Sequence, residues 1–185
     1  MNWITSDLHF NHNREFIYKP RGFNSIEEMN NAIIERFNYC VEPSDHLYIL
    51  GDIMLGQDLE AGMLLLSELP GNIHLVRGNH DTDRRWEAYS QLHNVVEQAA
   101  AIYLKYGKYH FYLSHFPTLT GNLEKESLSQ MTLNLFGHTH SKDLFYMDMP
   151  YMYNVAVDAH NCYPVDLDAI IEQMKEKIDE CYDFL

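Results

Sequence analysis

Five times along this 185-residue chain a short apolar, β-rich run passes straight into residues of the kind that bind metal ions. Trp3-Ile4-Thr5 leads to Asp7 and His9, and His46 to Leu50 leads to Gly51-Asp52. Ile73 to Val76 leads through Arg77 to Gly78-Asn79-His80-Asp81. A run ending at Leu113 leads to Ser114-His115, and Thr132 to Phe136 leads to Gly137-His138-Thr139-His140. Open α/β sheets hold their ligands in the crevice beyond the carboxyl ends of the strands. Five such strand ends predict one crevice that gathers all five loops.

The segments between these runs fit that reading. Ser25 and Glu28 form a capping-box pattern, and Ile26, Met29, Ile33, Phe37 and Cys40 recur at helical spacing, so a helix is expected from Ser25 to about Val41, with Pro43 beyond it. Helices are also expected over Gln57 to Leu69, ended by Pro70-Gly71, over Asp83 to Leu92, and after Asp166, with Ile170, Met174, Ile178 and Cys181 on one stripe. Val95 to Leu104 and Lys108 to Leu113 read as strands about a turn at Gly107, and Phe145 to Val157 is β-like with a break at Pro150. Strand and helix alternate in the first half, which implies a parallel sheet; consecutive strands in the second half imply an antiparallel or mixed portion. With no linker or low-complexity tract, a single α/β domain over 1–185 is expected, and a chain of this length buries roughly 70% of its extended surface.

Charge narrows the partners. Against 13 Lys+Arg stand 27 Asp+Glu, for a net −14, which argues against a protein that grips long nucleic acid through a basic face. Three widely spaced cysteines, Cys40, Cys162 and Cys181, make neither a disulfide framework nor a thiolate zinc site. The amino terminus lacks the pattern of a signal peptide and no run of 18 apolar residues occurs, so a cytoplasmic protein without a membrane span is expected.

The candidate ligands are carboxylate, imidazole and amide, a set suited to divalent Mn, Fe, Zn, Co or Ni. There are enough for two ions, and two nearby cations need a bridging carboxylate, a role that suits Asp52, alone in its loop. Such a pair clamps a phosphoryl group and lowers the pKa of bound water from 15.7 toward about 7, giving a hydroxide for in-line attack at phosphorus. Asp7 and Asp52 together contribute −2 against +4 from two ions, so the crevice favours an anion even though the whole surface is acidic.

The ordered blocks D-x-H, G-D, G-N-H-D, H and G-H-x-H, from Asp7 to His140, resemble the calcineurin-like metallophosphoesterase superfamily. The resemblance implies two stacked mixed β-sheets flanked by helices, a four-layer αββα sandwich. It implies that Asp7, His9 and His140 bind one metal, that Asn79, His115 and His138 bind the other, and that Asp52 bridges them. It further implies that His80 is the general acid for the leaving group and that Asp81 orients or tunes His80, and it favours manganese. The serine/threonine protein phosphatase branch carries arginines after its G-D and a G-N-H-E; here Ile53-Met54-Leu55-Gly56 follows Asp52 and the block ends in Asp81. The match is to the small single-domain members, often phosphodiesterases or of unassigned substrate, and it implies hydrolysis of phosphodiesters or phosphomonoesters of small molecules or nucleotides.

Residues outside the blocks are read more plainly. His12, three beyond His9, and Arg14 and Arg21 just after it are candidate substrate ligands, because guanidinium matches phosphate oxygens. For Arg14, Arg21 and Arg77 singly, a surface ion pair is the simpler reading. His46, His74, His93 and His110 are expected to be structural or surface residues. The aromatic and Met-rich run Phe145 to Tyr153 is expected in the core or at a homodimer surface. Two competing functions use the same fold: a protein-binding scaffold without catalysis, against which stand the retained His80 and full ligand set, and a metal-dependent nuclease, against which stands the net charge.

Overall fold

The computed structural model describes residues 1–121 and 127–183, with side chains described to residue 180; the side chain of Cys181 therefore lies outside the described residues. The chain begins β1 (Asn2–Thr5), α1 (Glu15–Tyr18), α2 (Ile26–Cys40), β2 (His46–Leu50), α3 (Leu59–Ser67), β3 (Asn72–Val76), α4 (Asp83–Tyr89) and β4 (Val95–Ala99). It continues β5 (Ile102–Tyr106), β6 (Tyr109–Leu113), β7 (Thr132–Phe136), β8 (Met152–Asn154), β9 (Val165–Asp166) and α5 (Leu167–Asp183).

Two sheets result. One has the order β4-β3-β2-β1-β9 and the other β5-β6-β7-β8. In the first sheet β1 to β4 are parallel and β9 is antiparallel to β1. In the second, β5 and β6 form the antiparallel hairpin around Gly107, while β6, β7 and β8 are parallel. Both sheets are thus mixed. The parallel majority in the second sheet lets β6, β7 and β8 all end on the same side.

Alternation along the strands builds two cores. Leu47 and Ile49 of β2 and Ile73 and Leu75 of β3 face outward and pack with α2 through Met29, Ile33 and Phe37. Tyr48, Leu50, Val76 and Ile4 face inward and meet Phe111, Leu113, Leu133, Leu135 and Tyr153 of the second sheet. Helix α5 adds Leu167, Ile170, Ile171 and Met174 to this inner core and so ties the sheets together, with the Tyr153 hydroxyl donating to Gln173 at 2.7 Å. The architecture is two stacked mixed sheets flanked by helices.

The structure corrects several boundaries. Val95 to Leu104 is not one strand: the chain bends at Ala100-Ala101, leaving β4 on the edge of one sheet and β5 on the edge of the other. No single ladder can serve both sheets, so the run divides. Helix α3 starts later than expected because Asp58 caps it, accepting from Ala61 N at 3.0 Å. Helix α4 stops at Tyr89, ahead of the turn that carries Leu92. The capping box of α2 forms by half. Ser25 Oγ accepts from Glu28 N at 3.2 Å, but the Glu28 carboxylate turns to Asn24 N at 2.8 Å rather than to Ser25 N. The stretch from Phe145 contains a 3-10 turn (Tyr146–Asp148) before β8, which leaves Met147 exposed and Tyr153 fully buried.

Candidate metal centre

The ends of β1, β2, β3, β6 and β7 converge, and the backbone there is held in unusual shapes. Five of the seven expected metal ligands have positive φ: Asp7 (59°), His9 (51°), Asp52 (54°), His138 (70°) and His140 (50°). Non-glycine residues rarely adopt this region, which costs on the order of 1–3 kcal/mol each, and such strain persists where surrounding structure over-determines it. Here the determinants are cross-loop hydrogen bonds. Asp7 N donates to Gly51 O at 3.0 Å, His9 N to Asp52 O at 3.0 Å, and His138 N to Asp7 Oδ2 at 2.8 Å. Gly51 has φ +90°, and a Cβ there would lie 2.6 Å from the Gly78 backbone and 2.7 Å from His115 Nδ1, so only glycine lets the β2 and β3 loops touch.

Ligand atoms crowd the space these loops enclose. His9 Nε2 and His140 Nε2 are 3.2 Å apart, and Asp7 Oδ1 lies 3.9 Å from the first and 4.0 Å from the second. Two ligands bonded to one ion at about 2.1 Å are at most about 4.2 Å apart, so this triad is spaced to share a cation. Asp52 Oδ2 sits 3.7 Å from His9 Nε2, 3.6 Å from His115 Nε2 and 3.8 Å from His80 Nε2. Asn79 Oδ1 is 2.9 Å from His115 Nε2, and the His138 ring lies 5.0 Å from that of His115. Asp7, Asp52 and His115 form a second cluster, joined to the first through Asp7.

The polar accounting also fits a cation. Asp7 Oδ1 is fully buried and has no hydrogen-bond partner among the described residues, which is costly for a carboxylate unless a positive ion compensates it. Burial pushes the Asp7 carboxyl up and the His9 and His138 imidazoles down. Two imidazoles are locked in the tautomer a metal needs. A carbonyl only accepts, so His115 Nδ1–H donates to Leu50 O at 2.8 Å and its Nε2 lone pair faces Asp52 and Asn79. His140 Nδ1 donates to Asp158 Oδ2 at 3.0 Å, which likewise leaves Nε2 for the crevice. That hydrogen bond raises the His140 pKa despite the opposing effect of burial.

His80 stands at the rim with its side chain 42% exposed, its backbone N anchored to Asp52 Oδ1 at 2.9 Å and its ring centroid 5.6 Å from that of His9. His12 lies beside it, with centroids 5.3 Å from His9 and 6.5 Å from His80. Arg14 is exposed at the start of α1.

Two expectations are corrected here. Among the described residues the Asp81 carboxylate makes no hydrogen bond to the His80 imidazole. Its buried carboxylate turns inward to accept from Gly78 N at 2.8 Å, Asp52 N at 2.9 Å, Ile53 N at 3.3 Å and the Tyr89 hydroxyl at 3.2 Å. It clasps the β2 and β3 loops together and is a positioning residue. Burial raises its pKa, with the backbone donors opposing. Arg21 is not a free substrate ligand either. Its guanidinium is 1% exposed and its donors are committed: Nε and Nη2 to the Asp158 carboxylate at 2.9 and 2.8 Å, Nη2 to Asp7 O at 2.9 Å, and Nη1 to Leu8 O and Met29 Sδ at 3.2 and 3.5 Å.

Sequence reasoning missed Asp158 and Arg85. Asp158 joins His140 to Arg21. Burial alone would raise its carboxyl; the bonds from His140 and Arg21 outweigh that and hold it far below the usual range. A signal existed: Val155-Ala156-Val157 is a further apolar run ending in a carboxylate. Arg85 Nη1 donates to His80 O at 2.8 Å and Nη2 to Gly56 O at 2.9 Å, fixing the loop that carries His80. Arg77 is likewise occupied, with Nε donating to Asp81 O at 2.9 Å and Nη2 pairing with Asp83 at 2.5 Å.

Comparison with known proteins places this geometry. The calcineurin-like phosphoesterase family model matches residues 3–142. The uncharacterized protein MJ1445 of Methanocaldococcus jannaschii is 32% identical over 184 residues, covering 94% of this chain and 91% of its own. The crystal structure of AQ665 from Aquifex aeolicus, a protein of unknown function, superposes with a TM-score of 0.69 at 22% identity, over 93% of this chain and 98% of that one.

Proposed function

Because the chain belongs to the calcineurin-like phosphoesterase family, we propose that it hydrolyses phosphodiesters or phosphomonoesters of small molecules or nucleotides. The cofactors in this reading are two divalent ions of the Mn, Fe, Zn, Co or Ni class, with Mn foremost. One observation carries most weight: Asp52 Oδ2 lies 3.6–3.8 Å from three imidazole nitrogens, in one cluster with Asp7, whose buried Oδ1 has no hydrogen-bond partner among the described residues.

Asp7, His9 and His140 would hold one ion and Asn79, His115 and His138 the other, with Asp52 shared. When bound, such a pair neutralises phosphoryl charge and makes water acidic enough to serve as nucleophile near neutral pH. His80 stands at the rim, where its imidazole can hand a proton to the departing ester oxygen. Asp52 and Arg85 hold the His80 backbone, while Asp81 clasps the β2 and β3 loops to each other. In this reading His12, whose ring lies beside those of His9 and His80, and Arg14, exposed at the start of α1, would meet the substrate. Among the described residues Cys40 and Cys162 are free thiols, which suits a reducing, cytoplasmic setting.

The test is turnover of a nitrophenyl phosphomonoester and a bis-nitrophenyl diester by Mn²⁺-loaded protein. His80→Ala should lower kcat by about 10²–10⁴-fold, the usual worth of a general acid, while Mn²⁺ binding persists. A wild-type protein that binds Mn²⁺ and cleaves neither ester would overturn the proposal.

A further inference from the structure

A cleft of about 340 Å³ opens directly from the metal centre, with Asn79 and His115 among its walls and Arg77, Tyr112, Phe116 and Thr118 around the remainder. This volume falls at the lower end of the range for small-molecule sites, which runs from about 300 Å³ upward.

Phe116 is its most telling wall. The ring meets His115 edge-to-face at 4.9 Å and His138 at 4.6 Å, yet the residue stays 48% exposed. A large apolar side chain left about half in water beside two expected metal ligands is a surface on which a flat group next to the metal centre could pack. Tyr112 comes from β6 on the same strand-to-loop path and is half-buried. The hydroxyls of Ser114 and Thr118 are spent within their own loop, both bonded to Phe116 O, so they fix the ring's backbone rather than seek a ligand. The cationic wall is Arg77, held by Asp81 O and Asp83.

Building on the phosphoesterase reading above, we propose that this cleft receives the organic part of the substrate and that it selects a planar aromatic group, such as a nucleobase, stacked on Phe116. A phosphate bound at the metal centre and a base on Phe116 together describe a nucleotide-type substrate. Base–aromatic stacking tolerates any base, because every base presents a π-face. The expected selectivity is therefore for aromatic over non-aromatic esters rather than for one base.

The experiment is calorimetric binding of adenosine 5′-monophosphate and of ribose 5-phosphate to the Mn²⁺-loaded protein. The two share phosphate and sugar and differ in the base. The wild type should bind the nucleotide about tenfold more tightly, the scale of one stacking contact. Phe116→Leu keeps an apolar group against His115 and His138 and should erase that preference, leaving ribose 5-phosphate and Mn²⁺ affinity unchanged. Tyr112→Leu, more distant from the ligands, should reduce the preference by a smaller factor and serves as the second variant should Phe116→Leu lose metal. A wild type that binds both alike, or neither, overturns the proposal, as does a preference that survives both substitutions. Every titration, that of the otherwise wild-type cleft included, is made in the His80→Ala background, in which turnover of these monoesters is suppressed, and wild-type cleavage of the nitrophenyl esters is measured separately, so a nucleotide preference in a protein that cleaves no ester would sink the hydrolase reading and spare the cleft.

Discussion

Replacing Asp158 by Ala should damage both the fold and the metal site, and the two effects are separable. Asp158 accepts three charge-assisted bonds, two from Arg21 at 2.9 and 2.8 Å and one from His140 at 3.0 Å. Without it the Arg21 guanidinium, 1% exposed, keeps only carbonyl and sulfur partners. An unpaired buried charge costs about 3–5 kcal/mol, a large share of the roughly 5–15 kcal/mol that holds a domain folded. His140 also loses the acceptor that fixes its tautomer, which should weaken metal binding by about 10- to 100-fold. Urea unfolding of metal-free protein reads the first effect and Mn²⁺ calorimetry the second. The double variant Arg21→Met with Asp158→Leu removes both charges and should recover much of the stability but none of the metal affinity. A pH arm checks the sign. The folded carboxyl is held below its ordinary 3.8, so its contribution is complete above that value and fades as pH falls below it. Wild type should therefore lose more stability than Asp158→Asn between about pH 4 and about pH 2. An Asp158→Ala protein within about 1 kcal/mol of wild type, with unaltered Mn²⁺ affinity, would refute the reasoning.

Three further outcomes follow from the same geometry. Arg85→Met should lower kcat by about tenfold or more with unchanged Mn²⁺ affinity, since it frees the His80 carbonyl and small displacements of catalytic groups are costly; steady-state kinetics on a nitrophenyl ester reads it. Asp81→Asn sets an amide among three backbone N–H donors and a hydroxyl, and should cost about 2–3 kcal/mol in urea unfolding, with Tyr89→Phe costing about 1 kcal/mol. Burial lowers the His160 pKa below its ordinary 6.5 while its Nε2–H donates to Asn154 O, so the unfolded chain takes up that proton first as pH falls. Stability of the metal-free protein should decline as pH drops below about 6.5, and less steeply in His160→Gln.

Local pattern carried much of the site. Each of the five ligand loops follows a strand whose alternation and length are visible in the residues themselves, and their convergence follows from strands that end on one side. The direction of an individual side chain is a different matter. Asp81 follows His80 in sequence, which suggested a partnership, but the chain turns there and sends the carboxylate to donors 28 and 29 positions away. Arg21 could be read as a phosphate ligand or as one half of an ion pair, and its immediate neighbours did not choose between the two, because its partner, Asp158, lies 137 positions on.

What the sequence determined by itself is therefore the alternation that makes the strands and helices, the set of metal-binding residue types, and the order in which the loops deliver them. Tertiary structure decided where the chain leaves one sheet for the other at Ala100-Ala101, which carboxylates face the crevice and which brace its walls, and that Asp158 stands behind His140. The division has a physical cause. Periodicity reflects burial of neighbours a few residues apart, whereas a buried charge takes whichever partner the packed fold brings within hydrogen-bonding distance, however far away it lies in the chain.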